Sequence, residues 1–201
     1  YVPTMNATTG KCVGDTMTFK FVVKPTPQVD KIDDIRVCEG DSIIVEFSKL
    51  ADSTLIVWNN INVNTGIGST GTGDIRVRST TVSQATQLTA ITVSTRSTDR
   101  GKLCAGLSET FAVRVDPTTV AGDALVNGLK EENLCINSDI ALTLTGNVGD
   151  EIIWMRRPVG GTFSEIDRNV VAVDDVATQD YEYVAQVTSP ICPAEFTDTL
   201  L

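Results

Sequence analysis

A four-point frame of Cys, Gly, Phe and Pro occurs twice in this chain at one spacing. Cys12, Gly14, Phe19 and Pro25 recur as Cys104, Gly106, Phe111 and Pro117, each 92 residues further on. A looser echo, Cys192-Pro193-Ala194-Glu195-Phe196, closes the chain. Self-similarity at one domain length means tandem copies of one folding unit. Each copy of the frame reads as the last strand of a unit, with proline marking the exit. The frame therefore predicts three segments. Residues 1–25 are the C-terminal strands of a preceding, truncated repeat. Residues 26–118 are a full sandwich, and 119–201 are a second one, truncated in its last strand.

The local patterns agree. Ser42 to Phe47 puts Ile43, Val45 and Phe47 on one face and Glu46 on the other, the period-two signature of a half-buried strand. Leu55-Ile56-Val57-Trp58 reads as a buried strand, Ile75-Arg76-Val77-Arg78 alternates, and Leu88 to Thr95 alternates around Ile91 and Val93. The second unit repeats the order with Ile140 to Leu144, Ile152-Ile153-Trp154 and Tyr181 to Val187. Cys38 to Trp58 is 20 residues and Cys135 to Trp154 is 19. No stretch has a helical period. The predicted fold class is all-β, with tandem antiparallel sandwiches arranged end to end. Pro25-Thr26-Pro27 and Asp116-Pro117-Thr118-Thr119 read as short, stiff linkers.

The balance of 26 acidic against 16 basic residues, a net charge of −10, argues against nucleic acid and anionic membrane surfaces as partners. No run is long and apolar enough for membrane insertion. There is no signal peptide, and Tyr1 starts within a strand pattern, so the sequence reads as an internal piece of a longer chain.

Five cysteines and no histidine, with no CxxC pair, make a zinc site improbable. By position in the repeat, Cys38 pairs with Cys104 and Cys135 with Cys192 as disulfides, leaving Cys12 with a partner upstream of Tyr1. Such bonds imply an oxidising, extracytoplasmic setting. The alternative is a set of buried free thiols. One point opposes the pairing. In an immunoglobulin-type sandwich the first turn and the last loop lie at opposite ends, and a disulfide needs Cα atoms within about 7 Å.

No catalytic, cofactor-binding or metal-ligating residue emerges. Gly66-Ile67-Gly68-Ser69-Thr70-Gly71 satisfies GxGxxG, but a strand pattern follows where a dinucleotide site needs a helix. Without histidine the usual nucleophilic triads are excluded. Adjacent acids such as Asp33 with Asp34, Asp150 with Glu151 or Asp174 with Asp175 point to opposite faces in a strand, so they form no dyad. Calcium at a domain junction, on Asp33, Asp34 or Asp116, stays open as hard-oxygen chemistry, without a supporting loop motif. Trp58 and Trp154 read as core pins rather than sugar-stacking platforms. Asn6-Ala7-Thr8 fits the N-glycosylation sequon.

Four stretches stand out: Val37-Cys38-Glu39-Gly40-Asp41-Ser42, Val57-Trp58-Asn59-Asn60, Gly68-Ser69-Thr70-Gly71-Thr72-Gly73-Asp74-Ile75 and Thr110 to Pro117. They resemble the PKD-like and Ig-like repeats of the giant, SprB-like surface adhesins of gliding Bacteroidetes. The second unit is shorter and resembles a general Ig-like domain. The resemblance implies type IX secretion, display on the outer membrane and a part in attachment and gliding. It also implies O-glycans on Asp-(Ser/Thr)-hydrophobic-or-Thr patterns, which here offer Thr16, Ser42, Ser53 and Thr199.

Two function classes follow. In one, the chain is a non-enzymatic stalk of a large secreted adhesin. Its partners are then neighbouring repeats, and extracellular polysaccharide or surface glycans are met by other parts of the protein. In the other, it is a glycan-binding module or the accessory domain of a secreted enzyme, with Tyr1, Phe163 and Tyr181 as the edge aromatics. The stalk predicts a rod with a small inter-domain contact near Pro117 and no ligand pocket shared between the units.

Overall fold

The structure is a computed structural model that describes residues 4–7, 10–13, 15–21, 23, 26–48, 54–99 and 102–200. Strands β1 (Thr4–Ala7) and β2 (Gly10–Val13) form an antiparallel hairpin. Eight strands follow: β3 (Ile35–Cys38), β4 (Ser42–Val45), β5 (Thr54–Asn60), β6 (Thr70–Thr72), β7 (Ile75–Arg78), β8 (Gln87–Asp99), β9 (Lys102–Ala105) and β10 (Glu109–Asp116). Seven more complete the chain: β11 (Asp123–Val126), β12 (Asp139–Thr145), β13 (Glu151–Pro158), β14 (Ser164–Arg168), β15 (Ala172–Val176), β16 (Tyr181–Thr188) and β17 (Glu195–Phe196). Among the described residues the helical content is one 3-10 turn, Val63–Thr65. The protein is all-β, as its alternating patterns predict.

The first sandwich packs the pair β4–β7 on a sheet of order β3-β10-β8-β5-β6, with β9 folded back on β8. Ile43, Val45 and Ile75 from the small sheet meet Ile56, Trp58, Ile91, Val93, Phe111, Val113 and Val115 from the large one. Each such side chain taken from water contributes about 1.5–3 kcal/mol, so this face holds the sheets together. One pairing departs from the antiparallel expectation: β3 runs parallel to β10, with Ile35 opposite Val113 and Cys38 opposite Asp116. The second sandwich packs β11-β12-β15 on β14-β13-β16-β17. Its core gathers Ala124, Val126, Ile140, Leu142, Leu144 and Val173 against Ile152, Trp154, Tyr183, Ala185 and Val187.

The tryptophans pin the two cores in the same way. Trp58 is 8% exposed and Trp154 fully buried. Each indole N–H donates to a backbone carbonyl 3.0 Å away, Gly73 for Trp58 and Val170 for Trp154. The GxGxxG stretch serves the first of these. Gly71 sits in β6 opposite Trp58, and a Cβ there would lie 2.1 Å from the indole Cζ2. The glycine is required by the ring, not by a phosphate.

Candidate functional site: the joint between the sandwiches

The local frame around Cys38 is rigid. Its carbonyl accepts from the Asp41 N–H at 3.1 Å and from the Ser79 hydroxyl at 2.7 Å. Gly40 makes the turn possible with φ +87°. Because β3 runs beside β10, this turn lies where the chain leaves the first sandwich.

There Cys38 is bonded to Cys192, which lies between β16 and β17 of the second sandwich, with S–S 2.14 Å and Cα atoms 5.2 Å apart. The Cys192 sulfur rests 3.2 Å from the carbonyl oxygen of Pro117, so the bond straps the linker it bypasses. This corrects the expected pairs Cys38–Cys104 and Cys135–Cys192. Cys104 and Cys135 are exposed free thiols. The Cys12 side chain lies outside the described residues.

The reason is strand length. Cys104 is in β9, ahead of the start of β10, whereas Cys38 lies opposite its end at Asp116. The eight residues of β10 span roughly 23 Å at about 3.3 Å per step, well beyond disulfide reach. In the second sandwich, Cys135 and Cys192 are likewise separated by the length of β16. The first-turn cysteine of one sandwich therefore faces the last-loop cysteine of the next.

Beside the disulfide sits Asp116, only 2% exposed. Its carboxylate accepts from Arg36 Nε at 2.5 Å, Arg114 Nε at 2.7 Å and the Thr86 hydroxyl at 3.0 Å. Burial alone pushes this carboxyl up, but the Arg36, Arg114 and Thr86 hydrogen bonds outweigh it and hold it below the ordinary value. Arg36 also reaches Asp150 of the second sandwich, Nη2 to Oδ2 at 3.6 Å. The Asp150 side chain is 55% exposed, so that contact orients the joint more than it stabilises it.

Asp116, one of the residues on which calcium stayed open, is taken up by Arg36, Arg114 and Thr86. Asp34 accepts the Ala112 N–H at 2.8 Å, and Asp33 is exposed. Among the described residues no group of three or more His, Cys, Asp or Glu is placed to hold a metal ion.

A polar cleft of about 270 Å³ opens beside the joint, with Gln84, Thr86 and Asp116 on one wall and Asn147, Gly149 and Asp150 on the other. Its walls come from both sandwiches and flank the Asp116–Pro117 linker.

A second cleft, about 320 Å³, lies in the second sandwich with Glu132, Leu134, Asp180, Tyr181 and Tyr183 among its walls. Behind it Arg156 Nη1 bonds both oxygens of Asp175 at 2.6 and 2.5 Å, and the Tyr183 hydroxyl donates to Asp175 at 2.9 Å. Burial pushes the Tyr183 hydroxyl up, and its bond to Asp175 adds to that. The edge aromatics are not bare platforms. The Arg156 guanidinium lies 4.7 Å over Tyr181, and that of Arg157 lies 4.4 Å over Phe163. Tyr1 and Ser53 lie outside the described residues, as does the Asn6 side chain. Thr16, Ser42 and Thr199 are exposed.

Sequence reasoning missed the Arg36–Asp116 pair. Its members are 80 residues apart, and only the parallel β3–β10 register brings them together.

No family model and no curated protein matches the chain. Among solved structures it is similar to the N-terminal eight Ig domains of Down Syndrome Cell Adhesion Molecule isoform 1.30.30, at 13% identity and a TM-score of 0.49, over 86% of this chain and 27% of that one. It is also similar to a Ca2+-stabilised adhesin that helps an Antarctic bacterium reach out and bind ice, at 16% identity and a TM-score of 0.39, over 88% of this chain and 48% of that one. The chain thus spans less than two thirds of either protein's length.

Proposed function

We propose that this chain is a structural stalk module of a large secreted cell-surface adhesin, serving surface attachment and gliding motility. In this reading residues 26–118 and 119–201 are consecutive Ig-like or PKD-like repeats set end to end, displayed on the outer membrane after type IX secretion. The observation that carries it is the Cys38–Cys192 bond across the joint. A covalent strap parallel to the linker lets tension and orientation pass from one sandwich to the next without relying on Pro117. It also requires an oxidising compartment, which fits an extracellular place. Among the described residues no helix is long and apolar enough to cross a membrane.

The partners of the module are its neighbouring repeats, and polysaccharide or surface glycans are met elsewhere in the protein. The exposed hydroxyls of Thr16, Ser42 and Thr199 suit O-glycosylation. A glycan-binding role would fall to the cleft at Tyr181, where Arg156 already covers the ring.

The test is replacement in the parent protein. Exchanging residues 26–201 for two unrelated, rigidly joined sandwiches of equal length should leave attachment and gliding intact. Loss of attachment with normal display would contradict the stalk and favour the binding module.

A further inference from the structure

The N-terminal hairpin repeats the register of a hairpin in the first sandwich. β1 and β2 pair Thr4 with Val13, Met5 with Cys12, Asn6 with Lys11 and Ala7 with Gly10. β8 and β9 pair Arg96 with Ala105, Ser97 with Cys104, Thr98 with Leu103 and Asp99 with Lys102. Every residue of the first set lies 92 positions before its counterpart in the second. So β1 corresponds to the end of β8, and β2 corresponds to β9.

The same offset carries Phe19, Phe21 and Val23 onto Phe111, Val113 and Val115. In β10 those three form the inward face and are 2%, 0% and 0% exposed. Phe19, Phe21 and Val23 are instead 70%, 83% and 91% exposed, and they belong to no strand. The two phenylalanine rings meet edge to face at 5.2 Å. Lys20, between them, falls at the position of Ala112, on the opposite face of β10. The segment thus has the sequence pattern of a core strand and none of its cover. Apolar side chains in such a row are normally buried against a partner, and a two-stranded hairpin is not stable by itself.

We infer that residues 4–23 are the closing hairpin and last strand of a further sandwich of the first one's kind. The strands that cover Phe19, Phe21 and Val23 lie upstream in the same polypeptide. Chain order favours that source. In the first sandwich, β10 is flanked by β3 and β8, and everything that covers it precedes β9. Residues 4–13 already supply the end of the β8 equivalent and the whole of β9's, so only earlier elements are missing. A second copy of this chain does not offer a vacancy, because its β10 already occupies the slot between β3 and β8. This inference rests on register and burial and is independent of any role in adhesion.

Hydrogen–deuterium exchange with mass spectrometry tests it on two proteins, the 201-residue chain and the parent chain lengthened N-terminally by 92 residues, one repeat offset. In the shorter protein, peptides covering 16–23 should exchange as fast as unstructured chain. In the longer one they should slow by about 100-fold or more, like the peptides of β10. The double variant Phe19→Ser, Phe21→Ser should abolish that protection in the longer protein and leave the melting temperature of the shorter one unchanged. Fast exchange of 16–23 in the longer protein would overturn the inference. So would protection that appears in the shorter protein together with dimerisation in ultracentrifugation, which would assign the stripe to a second copy.

Discussion

Cys38 of the first sandwich is joined to Cys192 of the second across a sequence separation of 154 residues, and the linker carbonyl of Pro117 lies against the bond. The cysteines thus hold sandwich to sandwich, and neither sandwich is stapled internally. Each core must be stable on its own packing, while the disulfide and the Asp116 hub fix the angle between them.

The pairing itself is directly checkable. Peptide mapping under non-reducing conditions should return a Cys38–Cys192 cross-link. Iodoacetamide on the native, unreduced protein should label Cys104 and Cys135, which are exposed thiols, and leave Cys38 and Cys192 unmodified. Recovery of a Cys38–Cys104 peptide would refute the strand geometry described above.

Asp116 should govern acid stability at the joint. Its folded carboxyl titrates below the ordinary value of 3.8. A depressed acid contributes stability that is fully present above the unfolded value and is lost as pH falls through the folded one. Asp175, also held low against burial by Arg156, the Val176 N–H and Tyr183, acts in the same direction. Melting temperature should therefore hold from neutral pH down to about pH 4 and fall below it. Asp116→Asn should cost about 2 kcal/mol at pH 7, since it leaves Arg36 and Arg114 facing a neutral, buried amide. It should also flatten the acid limb in a pH series of thermal melts.

The Trp58–Gly71 contact gives a steric prediction. Gly71→Ala brings a methyl to 2.1 Å from the indole, a rigid and buried neighbour. The first sandwich should lose about 2–3 kcal/mol, as over-packed cores do, and Trp58 emission should shift red. Gly73→Ala, whose Cβ meets nothing within 4 Å at φ +67°, should cost only about 1 kcal/mol from backbone strain. Equal losses from the two substitutions would show that β6 does not cover the tryptophan.

Much of the fold was legible in the sequence because burial of one face imprints a period of two. Ile43 to Val45 and Ile140 to Leu144 lie in strands for that reason, while the same face runs on past β4 to the buried Phe47. β6 was not legible, since Thr70-Gly71-Thr72 has no apolar face and exists to lie over an indole. Repeat position identified which cysteines are equivalent, but not which end of a sandwich each one faces. The objection that the first turn and last loop lie at opposite ends was sound, and the staggered bond is its consequence. What hid the answer was the parallel β3–β10 pairing, a long-range register that local pattern does not encode. Asp116 shows the same limit: an Asp-Pro linker is visible, but its partners Arg36 and Thr86 are set by tertiary structure.

Small-angle scattering on the 201-residue protein, with and without reductant, tests the fixed joint most directly. The oxidised protein should give an elongated profile typical of one rigid two-sandwich body. Reduction, or the pair Cys38→Ser and Cys192→Ser, should broaden the distance distribution while circular dichroism stays unchanged, because the cores do not depend on the bond. A compact profile with the sandwiches packed side by side, or a profile indifferent to reduction, would contradict a disulfide-locked stalk.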